Sequence, residues 1–521
     1  MLEYVRSVAA GLVLFFATTS LAVAQEPQPI PAGPLRLEQV LELAEARSEA
    51  VGIARTGVQR AEGEQIRARS GRYPQLNASA GYDRALASEF SGVFGGGSGE
   101  APCSPFTLDP AAALPDRVAE IERAIDCGAV GGSFFGGGGG EETELDLPFG
   151  RKNTWRVNLV FSQSVYSGGR LGALADIASA GREGAELGLT AARARLLFEA
   201  TQAFFDVALS DRLIQIAEAT ISQADATVRQ LQAGFDAGAQ PEFEVLRARV
   251  SRDAQRPVVI RQRANRDIAL LRLKKLLDLP AEYDLQIVAP LDGSVAPPAA
   301  FAARLQVVES QAASIETAAI RTPVKEAASV VRLREASLRA ALAERRPAVS
   351  VTSNYSNVAY PTGLFPTGDY RTNWTVGASV DFPILTGGRQ RGSEVIARAD
   401  LEQSRLQLRL VEELAQLDAR SAQAELTAAI AVLEANNGTI EQATRAYQIA
   451  EVRFQSGVST QLELADARLL LQLAEVNRAQ AARDLQVARA RVALLPDLPL
   501  GVSSGITTAP PPQVGGRGGI Q

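Results

Sequence analysis

The chain lacks histidine altogether, although it is 521 residues long. Histidine is the commonest general base, proton shuttle and metal ligand, so its absence removes the usual centre of catalytic and metal sites. Only two cysteines are present, and a zinc site would therefore have to depend on carboxylates. The sequence has no phosphate-binding loop of the P-loop type. These absences predict a protein that is not an enzyme and holds no cofactor or metal ion.

Charge and hydropathy argue against two further classes. The net charge is −6 without a stripe dense in lysine or arginine, so nucleic acid is not an expected partner. After Ala24 the sequence has no continuous apolar run of the roughly 18 residues that a membrane-spanning helix would require. Aromatic residues make up only 6% of the chain, whereas the 46% hydrophobic share is rich in alanine and leucine. This composition is typical of long, closely packed helices.

The segment 1–24 has the pattern of a secretory signal peptide. Arg6 follows a free amino terminus, an apolar stretch runs from Val8 to Ala17, and the small residues Ala22-Val23-Ala24 complete the segment. The apolar run is shorter than the roughly 20 residues that span a bilayer. A cleaved signal is therefore favoured over an uncleaved anchor.

The rest of the chain is built twice. The run WRVNLVFSQSVYSGGR, which begins at Trp155, aligns without a gap with WTVGASVDFPILTGGR, which begins at Trp374. The blocks that begin at Phe235 and Phe454 match at the same offset in numbering. Two blocks that keep one spacing indicate a duplicated unit.

A third match reveals an insertion. RYPQLNASAGY, ending at Tyr82, resembles RRPAVSVTSNY, ending at Tyr355, at a larger offset than the other two pairs of blocks. The first half therefore carries extra residues, seen as the Gly-rich stretch 91–150, whose composition predicts a long mobile loop. This stretch contains Cys103 and Cys127. In an oxidising compartment they could form a disulfide, or they could be two unrelated surface thiols.

Four short runs alternate apolar and polar residues with a period of two. In one of them Val157, Leu159 and Phe161 share a face, and the run from Trp374 alternates in the same way. The pattern fits transmembrane β-strands, although a half-buried soluble sheet would look the same. The export signal and the aromatic run ends favour the membrane. Four strands cannot close a barrel, so several chains must contribute.

Long helices follow the strands. No proline occurs between Gly168 and Gly234 or in the matching stretch Gly387–Ser456, where Asn436-Asn437-Gly438 is the main interruption. A helix of some 65 residues is about 100 Å long, which predicts coiled-coil-like packing. The shorter predicted helices are the leading helices, Leu37–Arg69 and Phe301–Glu344, and the return helices, Glu242–Leu277 and Leu462–Leu494.

This pattern resembles the outer membrane efflux protein family, the TolC-like channels. The resemblance rests on the duplicated halves, on the strand-to-helix motif Gly168-Gly169-Arg170 with its partner Gly387-Gly388-Arg389, and on the run Ala446–Leu464, which is similar to a helical tip of the family. It covers approximately Leu35–Leu495.

The resemblance implies a mainly α fold with a small β-barrel contribution. Long antiparallel coiled-coil helices would form a periplasmic tunnel, and four transmembrane β-strands per chain would complete a trimeric twelve-stranded barrel. The expected segments are the signal peptide 1–24, the first repeat 35–277 with its Gly-rich loop 91–150, the linker 278–300, the second repeat 301–495 and a flexible tail 496–521.

The implied function is a passive exit duct in the outer membrane, within a tripartite efflux or type I secretion system. The implied partners are two further copies in a homotrimer, a periplasmic membrane-fusion adaptor, an inner-membrane pump of the RND or ABC type, and outer-membrane lipid. The alternative is a periplasmic or surface coiled-coil scaffold or adhesin, whose strands form a soluble sheet.

The resemblance also implies functional residues at the tips of the long helices. Phe235 and Gly238 in the first half, and Phe454 and Gly457 in the second, would form tips that contact the adaptor. Gly238 and Gly457 suit the tight turns there.

Acidic residues narrow the periplasmic entrance in the family, and Glu463 and Asp466 match those positions. Their spacing of three puts them on one helical face, and Glu244 is the first-half equivalent. Three copies would form a ring that favours cations. The alternative is an ordinary helix start, where the helix dipole favours acidic residues.

The tips also depart from the family pattern. The best-studied members close the entrance through tyrosine and arginine links, but Phe454 and Ser459 stand at those places here. Closure must therefore use other contacts, with Arg247 and Arg453 as candidate partners of the acidic groups.

Overall fold

The structure is a computed structural model that describes residues 33–86, 104, 106–126, 153–289, 291, 299–311, 320–361, 363–365 and 370–501. The predicted signal peptide, Cys103, Cys127 and most of the stretch 91–150 lie outside the described residues, so the pairing of the two cysteines stays a prediction. Among the described residues, no helix combines the length and apolar character needed to cross a membrane.

Most of the described residues are helical. In chain order the elements are α1 (Leu37–Arg47), α2 (Glu49–Ser70), β1 (Gln75–Arg84), α3 (Leu114–Asp126), β2 (Asn153–Tyr166), α4 (Arg170–Asp236), α5 (Glu242–Asp253), α6 (Arg256–Leu276), α7 (Ala299–Gln311), α8 (Thr322–Ala343), β3 (Ala348–Ala359), β4 (Tyr370–Asp381), α9 (Arg389–Gln455) and α10 (Gln461–Leu494).

The chain divides into two compact units. The helical unit consists of Met1–Arg69, Gly169–Arg345 and Leu385–Gln521, and the strand unit consists of Ser70–Gly168 and Arg346–Ile384.

The strand unit contains one antiparallel sheet with the order β1-β2-β3-β4. Tyr82 pairs with Trp155, and Tyr355 pairs with both Leu159 and Trp374. Because paired residues point to the same side of a sheet, the apolar faces predicted for the separate strands coincide, and the predicted alternation is confirmed. Within the described residues, the outer edges of β1 and β4 have no strand beside them.

The bounds of the long helices repeat between the two halves of the chain. The long helices α4 and α9 have 67 residues each, and both their ends keep the offset that relates the two halves of the sequence. Each follows two glycines with positive φ: Gly168 at 64° and Gly169 at 94°, then Gly387 at 55° and Gly388 at 87°. A side chain would be strained in this conformation, which explains why the Gly-Gly-Arg motif occurs at both strand-to-helix junctions.

The shorter helices differ from the prediction. The first return helix is divided into α5 and α6 at Ala254 and Gln255, because Pro257 has no N–H for the helical ladder. The first leading helix is divided at Ser48, whose ψ of 121° is not helical. In the second half, the return helix α10 continues unbroken for 34 residues.

The predicted interruption of the second long helix was wrong. Helix α9 continues through Asn436-Asn437-Gly438. Asn436 donates from its side chain to the Val432 carbonyl at 2.8 Å, and Asn437 accepts a hydrogen bond from Arg478 of α10 at 2.8 Å. The packing of the hairpin thus outweighs the low helix propensity of these residues.

The Gly-rich stretch 91–150 is not a loop throughout. Its central part contains α3, which ends in Asp126. Arg123 forms an ion pair with Glu120 at 2.6 Å and donates to the Ser104 carbonyl at 3.2 Å, so the preceding segment is held against the helix. The glycines lie on both sides of this part, whereas 104–126 has the charged and apolar residues of an amphipathic helix.

The predicted linker and tail contribute to the core. Leu35 forms a parallel bridge with Ile287, and Leu285 is buried, so part of the linker 278–300 packs on the helical unit. At the other end, Leu498 is buried and the Pro496 carbonyl accepts a hydrogen bond from the Thr322 amide at 2.8 Å. The prediction that the flexible tail starts at 496 was therefore wrong for its first residues.

A buried charge cluster joins three helices of the second half. Arg321 is 1% exposed, and it donates to Asp418 at 2.7 Å and to the Ala415 carbonyl at 2.9 Å. Arg491 of α10 also donates to Asp418, at 2.8 Å. Burial lowers the pKa of Arg321, and the Asp418 carboxylate opposes this shift. Asp418 therefore holds two guanidinium groups, one at the start of α8 and one at the end of α10.

We expect the substitution Asp418→Asn to destabilise the helical unit by about 3 kcal/mol, because it leaves two buried arginines without their shared counter-charge. Thermal or denaturant unfolding of the purified protein measures the change. The matched control is Asp400→Asn, which breaks a more exposed pair with Arg334 at 3.3 Å and should cost less than about 1 kcal/mol. Equal effects of the two substitutions would contradict the assignment.

Candidate functional site at the helical tips

The first tip is the turn between α4 and α5. Gly238 has a φ of 72°, and its amide donates to the Phe235 carbonyl at 2.8 Å. The Ala239 amide donates to the Gly234 carbonyl at 2.8 Å. A Cβ on Gly234 would lie 2.8 Å from the Gln240 side chain. The turn therefore requires glycine at 238 for its conformation, whereas a side chain at 234 would displace the flexible Gln240 side chain.

The second tip repeats this backbone between α9 and α10. Gly457 has a φ of 70°, and its amide donates to the Phe454 carbonyl at 3.0 Å. The Val458 amide donates to the Arg453 carbonyl at 2.9 Å. Thr460 is the N-cap of α10, since its hydroxyl accepts from the Glu463 amide at 3.4 Å. Turns are thus present at both predicted positions, Gly238 and Gly457.

The two tip phenylalanines are equivalent in sequence but not in packing. Phe235 is 40% exposed. Phe454 is half-buried and packs against two separate clusters, one on each hairpin. The first cluster consists of Val228, Leu231, Val245 and Ala248, and the second consists of Tyr447, Leu464 and Leu471. Phe454 therefore joins the two tips of one chain, a role that the duplicated motif did not indicate.

A buried amide forms the second link between the tips. Gln461 is 5% exposed. In the amide orientation that satisfies both of its ends, Nε2 donates to Glu244 at 2.9 Å and Oε1 accepts from the Ala248 amide at 3.2 Å. Gln461 was missed in the sequence, because its first-half equivalent is the exposed Glu242 and no motif marks it.

The predicted acidic residues occupy different environments. Glu244 and Glu463 each stand three residues after the N-cap of their helix. Glu244 is half-buried and held by Gln461, whereas Glu463 and Asp466 are exposed on α10. Neither exposed carboxylate has an ion-pair partner among the described residues. The structure therefore brings Glu244 to the second hairpin and leaves Glu463 and Asp466 open to solvent.

The suggested arginine partners are not brought to these carboxylates. Neither Arg247 nor Arg453 forms an ion pair within the described part of the chain. The described residues also contain no group of three acidic or cysteine side chains that could hold a metal ion.

The first hairpin has a polar contact near its tip, and the second has a buried arginine at the equivalent place. Arg249 donates to Gln232 at 2.7 Å across the first hairpin. In the second hairpin the equivalent residues are Arg468 and Glu451. Burial lowers the pKa of Arg468, and the nearby Tyr447 and Glu451 oppose the shift. Because Arg468 is only 7% exposed, it does not present its charge to solvent.

We expect Phe454→Ala to separate the two tips of a chain, because it removes the side chain shared by both clusters. The local stability of the tips should fall by roughly 2 kcal/mol, and amide hydrogen exchange in α5 should accelerate. Phe243→Ala is the matched control, since Phe243 is 67% exposed and belongs to neither cluster. Unchanged exchange in the Phe454 variant would show that the tips are joined by other contacts.

Comparison with known proteins identifies the fold. The model of the outer membrane efflux protein family matches residues 119–278 and 315–501, which is more than half of the chain. Outer membrane efflux protein BepC of Brucella suis biovar 1 (strain 1330) is 26% identical over 298 residues, which are 56% of this chain and 61% of BepC. The match thus spans about three fifths of that relative's length.

Solved structures agree over most of the chain. The CmeC outer membrane channel of Campylobacter jejuni has a TM-score of 0.66 and 14% identity, with 89% of this chain and 86% of CmeC covered. The outer membrane protein VceC of Vibrio cholerae has a TM-score of 0.64 and 16% identity, with 88% and 95% covered.

The fold is therefore that of the TolC-like channels, in which long helices form a tunnel and the strands contribute to a barrel. The predicted fold class and the predicted location in the outer membrane, with a periplasmic helical extension, are confirmed. With its duplicated helices, its open four-stranded sheet and the match to the family model, the chain belongs to the outer membrane efflux protein family.

Proposed function

We propose that this protein is a passive exit duct in the outer membrane, part of a tripartite efflux or type I secretion system. A periplasmic membrane-fusion adaptor and an inner-membrane pump, of the RND or ABC type, would deliver the substrate to it. The observation that carries the proposal is that, among the described residues, the sheet has two unpaired edges and the long helix α9 has fewer packed neighbours than its equivalent α4.

The sheet supports a closed assembly of several copies. Strands β1 and β4 have 10 and 12 residues, enough for tilted strands that cross a bilayer. Unpaired backbone groups are not tolerated in lipid, so the β4 edge of one copy must pair with the β1 edge of the next. Three copies would supply twelve strands, above the eight strands whose barrel interior is filled by side chains.

The helices support the same assembly through the duplication. Helix α4 packs against its own return helix α6 and also against α8 and α10 of the second half. Among the principal pairings of the described residues, helix α9, its equivalent, packs against α8 and α10 of its own half. The helices that would correspond to the missing neighbours are α2 and α6. In the proposed assembly they would come from another copy.

Burial at equivalent residues marks the incomplete face. Phe198 on α4 is 8% exposed, whereas its equivalent Leu417 on α9 is 64% exposed. Ala191 is 9% exposed, and its equivalent Leu410 is 56% exposed. The equivalent positions on α4 are buried at the interface between the two halves, whereas these α9 residues have no such cover within the described chain.

Helix α2 also has exposed residues at positions that are buried on its equivalent, α8. Ser329 and Ala336 of α8 are 2% and 0% exposed. The equivalent residues of α2, Thr56 and Gly63, are both exposed. The exposed sides of α2 and α9 would therefore meet between copies, and the contact between subunits would repeat the contact between the two halves of one chain.

We expect Leu417→Lys to weaken the trimer, because it places a charge at an apolar contact whose burial contributes about 2 kcal/mol at each interface. The temperature at which the oligomer dissociates, seen by electrophoresis without boiling, should fall. The matched control is Ile449→Lys, which changes another exposed α9 residue whose equivalent, Gln230, is also exposed. A wild-type dissociation temperature for Leu417→Lys would contradict the proposed interface.

The tips are the proposed periplasmic entrance. Glu463 and Asp466 face solvent in one chain, so three copies would supply six exposed carboxylates. Such a ring attracts cations and repels anions. Glu244 would contribute less, because the Gln461 amide occupies one of its oxygens.

The adaptor contact is proposed at the exposed apolar residues of the same tips. Phe235 is 40% exposed, Phe243 is 67% exposed and Val458 is 68% exposed. Of the predicted tip residues, Phe235 fits this role, whereas Phe454 is already used between the two hairpins. The exposed apolar groups around two glycine turns support a docking surface for helical ends of a partner.

We expect the double substitution Glu463→Ala and Asp466→Ala to lower the preference of the duct for cations. The reversal potential in a planar bilayer under a salt gradient should move towards zero, and block by multivalent cations should weaken.

The matched control is the double substitution Glu412→Ala and Glu413→Ala, which removes the same charge about 60 Å along α9 from the tip. It should leave the selectivity near that of the wild type. Identical selectivity in the tip variant and the wild type would end the ring hypothesis, whereas a chain that forms no conducting oligomer would end the duct hypothesis.

A further inference from the structure

Helix α3, in the insertion between β1 and β2, carries an uncovered apolar stripe. Leu114 is 74% exposed, Val118 is 46% exposed, Ile121 is 38% exposed and Ile125 is 57% exposed. None of the principal helix–helix or strand pairings of the described residues involves α3. Four large apolar side chains on a helix of 13 residues are more than isolated surface hydrophobic residues, and they indicate a contact.

The spacing of the stripe is that of a coiled-coil seam. The four residues follow one another at intervals of four, three and four, which assigns Val118 and Ile125 to heptad position a and Leu114 and Ile121 to position d. Such a narrow stripe fits another helix better than a broad surface. The seam therefore indicates a helical occupant.

The other side of α3 is already satisfied within its own chain. Arg123 bonds Glu120 and the Ser104 carbonyl, and Ala124 is 0% exposed. The Ser104 contact thus holds the segment before the helix near Arg123, while the four residues of the seam stay exposed.

Charges beside the seam fit a second copy of the same helix. Arg117 occupies position g and Glu122 occupies position e. In a parallel coiled coil, the g residue of one helix faces the e residue five places later on its partner, so Arg117 would face an opposite charge. Within the described residues, the side chains of Arg117 and Glu122 form no ion pair or hydrogen bond in their own chain.

The charge balance favours this occupant over lipid. The segment 106–126 contains five acidic residues against two arginines. Helices that lie in a membrane interface are typically rich in lysine and arginine on the polar face. An acidic helix would be repelled by an anionic surface, whereas the alternating charges beside the seam match a copy of the helix.

We propose that the α3 helices of neighbouring copies pack together as a short parallel coiled coil through Leu114, Val118, Ile121 and Ile125. This inference rests on the proposed function, because a ring closed through the edges of β1 and β4 brings one α3 from each copy to the same end. The proposal takes α3 to run along the rotation axis of the ring, where rotational symmetry keeps the helices parallel. A helix as short as α3 does not associate alone, so the contact depends on the high effective concentration within the ring.

Cysteine cross-linking of the full-length chain in outer-membrane vesicles tests the proposal. Cys103→Ser and Cys127→Ser remove the native thiols, and Val118→Cys then places one thiol in the seam. The matched control in the same background is Asp116→Cys, an exposed position on the opposite face. Under mild oxidation, Val118→Cys should form disulfide-linked dimers roughly tenfold faster than the control.

The outcomes separate the two proposals. Oligomers that form and conduct, with equal cross-linking of the two cysteine variants, would overturn the coiled coil and leave the duct intact. Chains that form no oligomer in either variant would overturn both.

A charge exchange examines the facing pair. Arg117→Glu should slow cross-linking through Val118→Cys by roughly twofold, and the added change Glu122→Arg should restore it. A slowing that the second change does not relieve would overturn the parallel pairing.

Discussion

The structure depends on the interface between the two halves of the chain, which two halves form only once. Between the two halves, α4 is enclosed by helices of its own repeat and of the next, and Phe198 becomes buried. On the equivalent helix α9 of the second half, Leu417 is exposed. The sheet repeats the same imbalance, with one edge at β1 and the other at β4. In the proposed ring, copies related by rotation would pair both sheet edges and cover both exposed helix faces.

The tips show how a duplicated backbone acquires different roles. Gly238 and Gly457 have almost the same φ, because the same turn closes both hairpins. The side chains around this common turn have diverged, so that Phe454 joins the hairpins while Phe235 stays partly exposed. Gln461 replaces an acidic residue of the first half and holds Glu244. The asymmetry arises where the two tips meet, since a residue at the contact cannot serve both sides equally.

Much of the architecture was predictable from patterns that repeat. The constant offset between the two halves predicted matching ends for the long helices, and the period of two predicted the shared face of the sheet. Local exceptions were harder to predict. Pro257 divides the first return helix as its chemistry requires, but Asn436-Asn437-Gly438 does not break α9, because α10 packs along it. The amphipathic helix α3 was hidden among glycines whose abundance dominated the composition of the segment.

The sequence by itself determined the duplication, the strand and helix periods, the glycine turns and the family resemblance, because these depend on residues close in the chain or on regular spacing. Tertiary structure alone decided that Arg321 shares Asp418 with Arg491 and that Phe454 and Gln461 join the tips. It also decided that Leu417 is exposed, whereas its equivalent Phe198 is buried. Each of these depends on residues far apart in sequence, or on which face of a helix finds a neighbour. Periodicity identifies the apolar face of α9, but only the packing of its equivalent α4 shows which part of that face lacks a neighbour in the described chain.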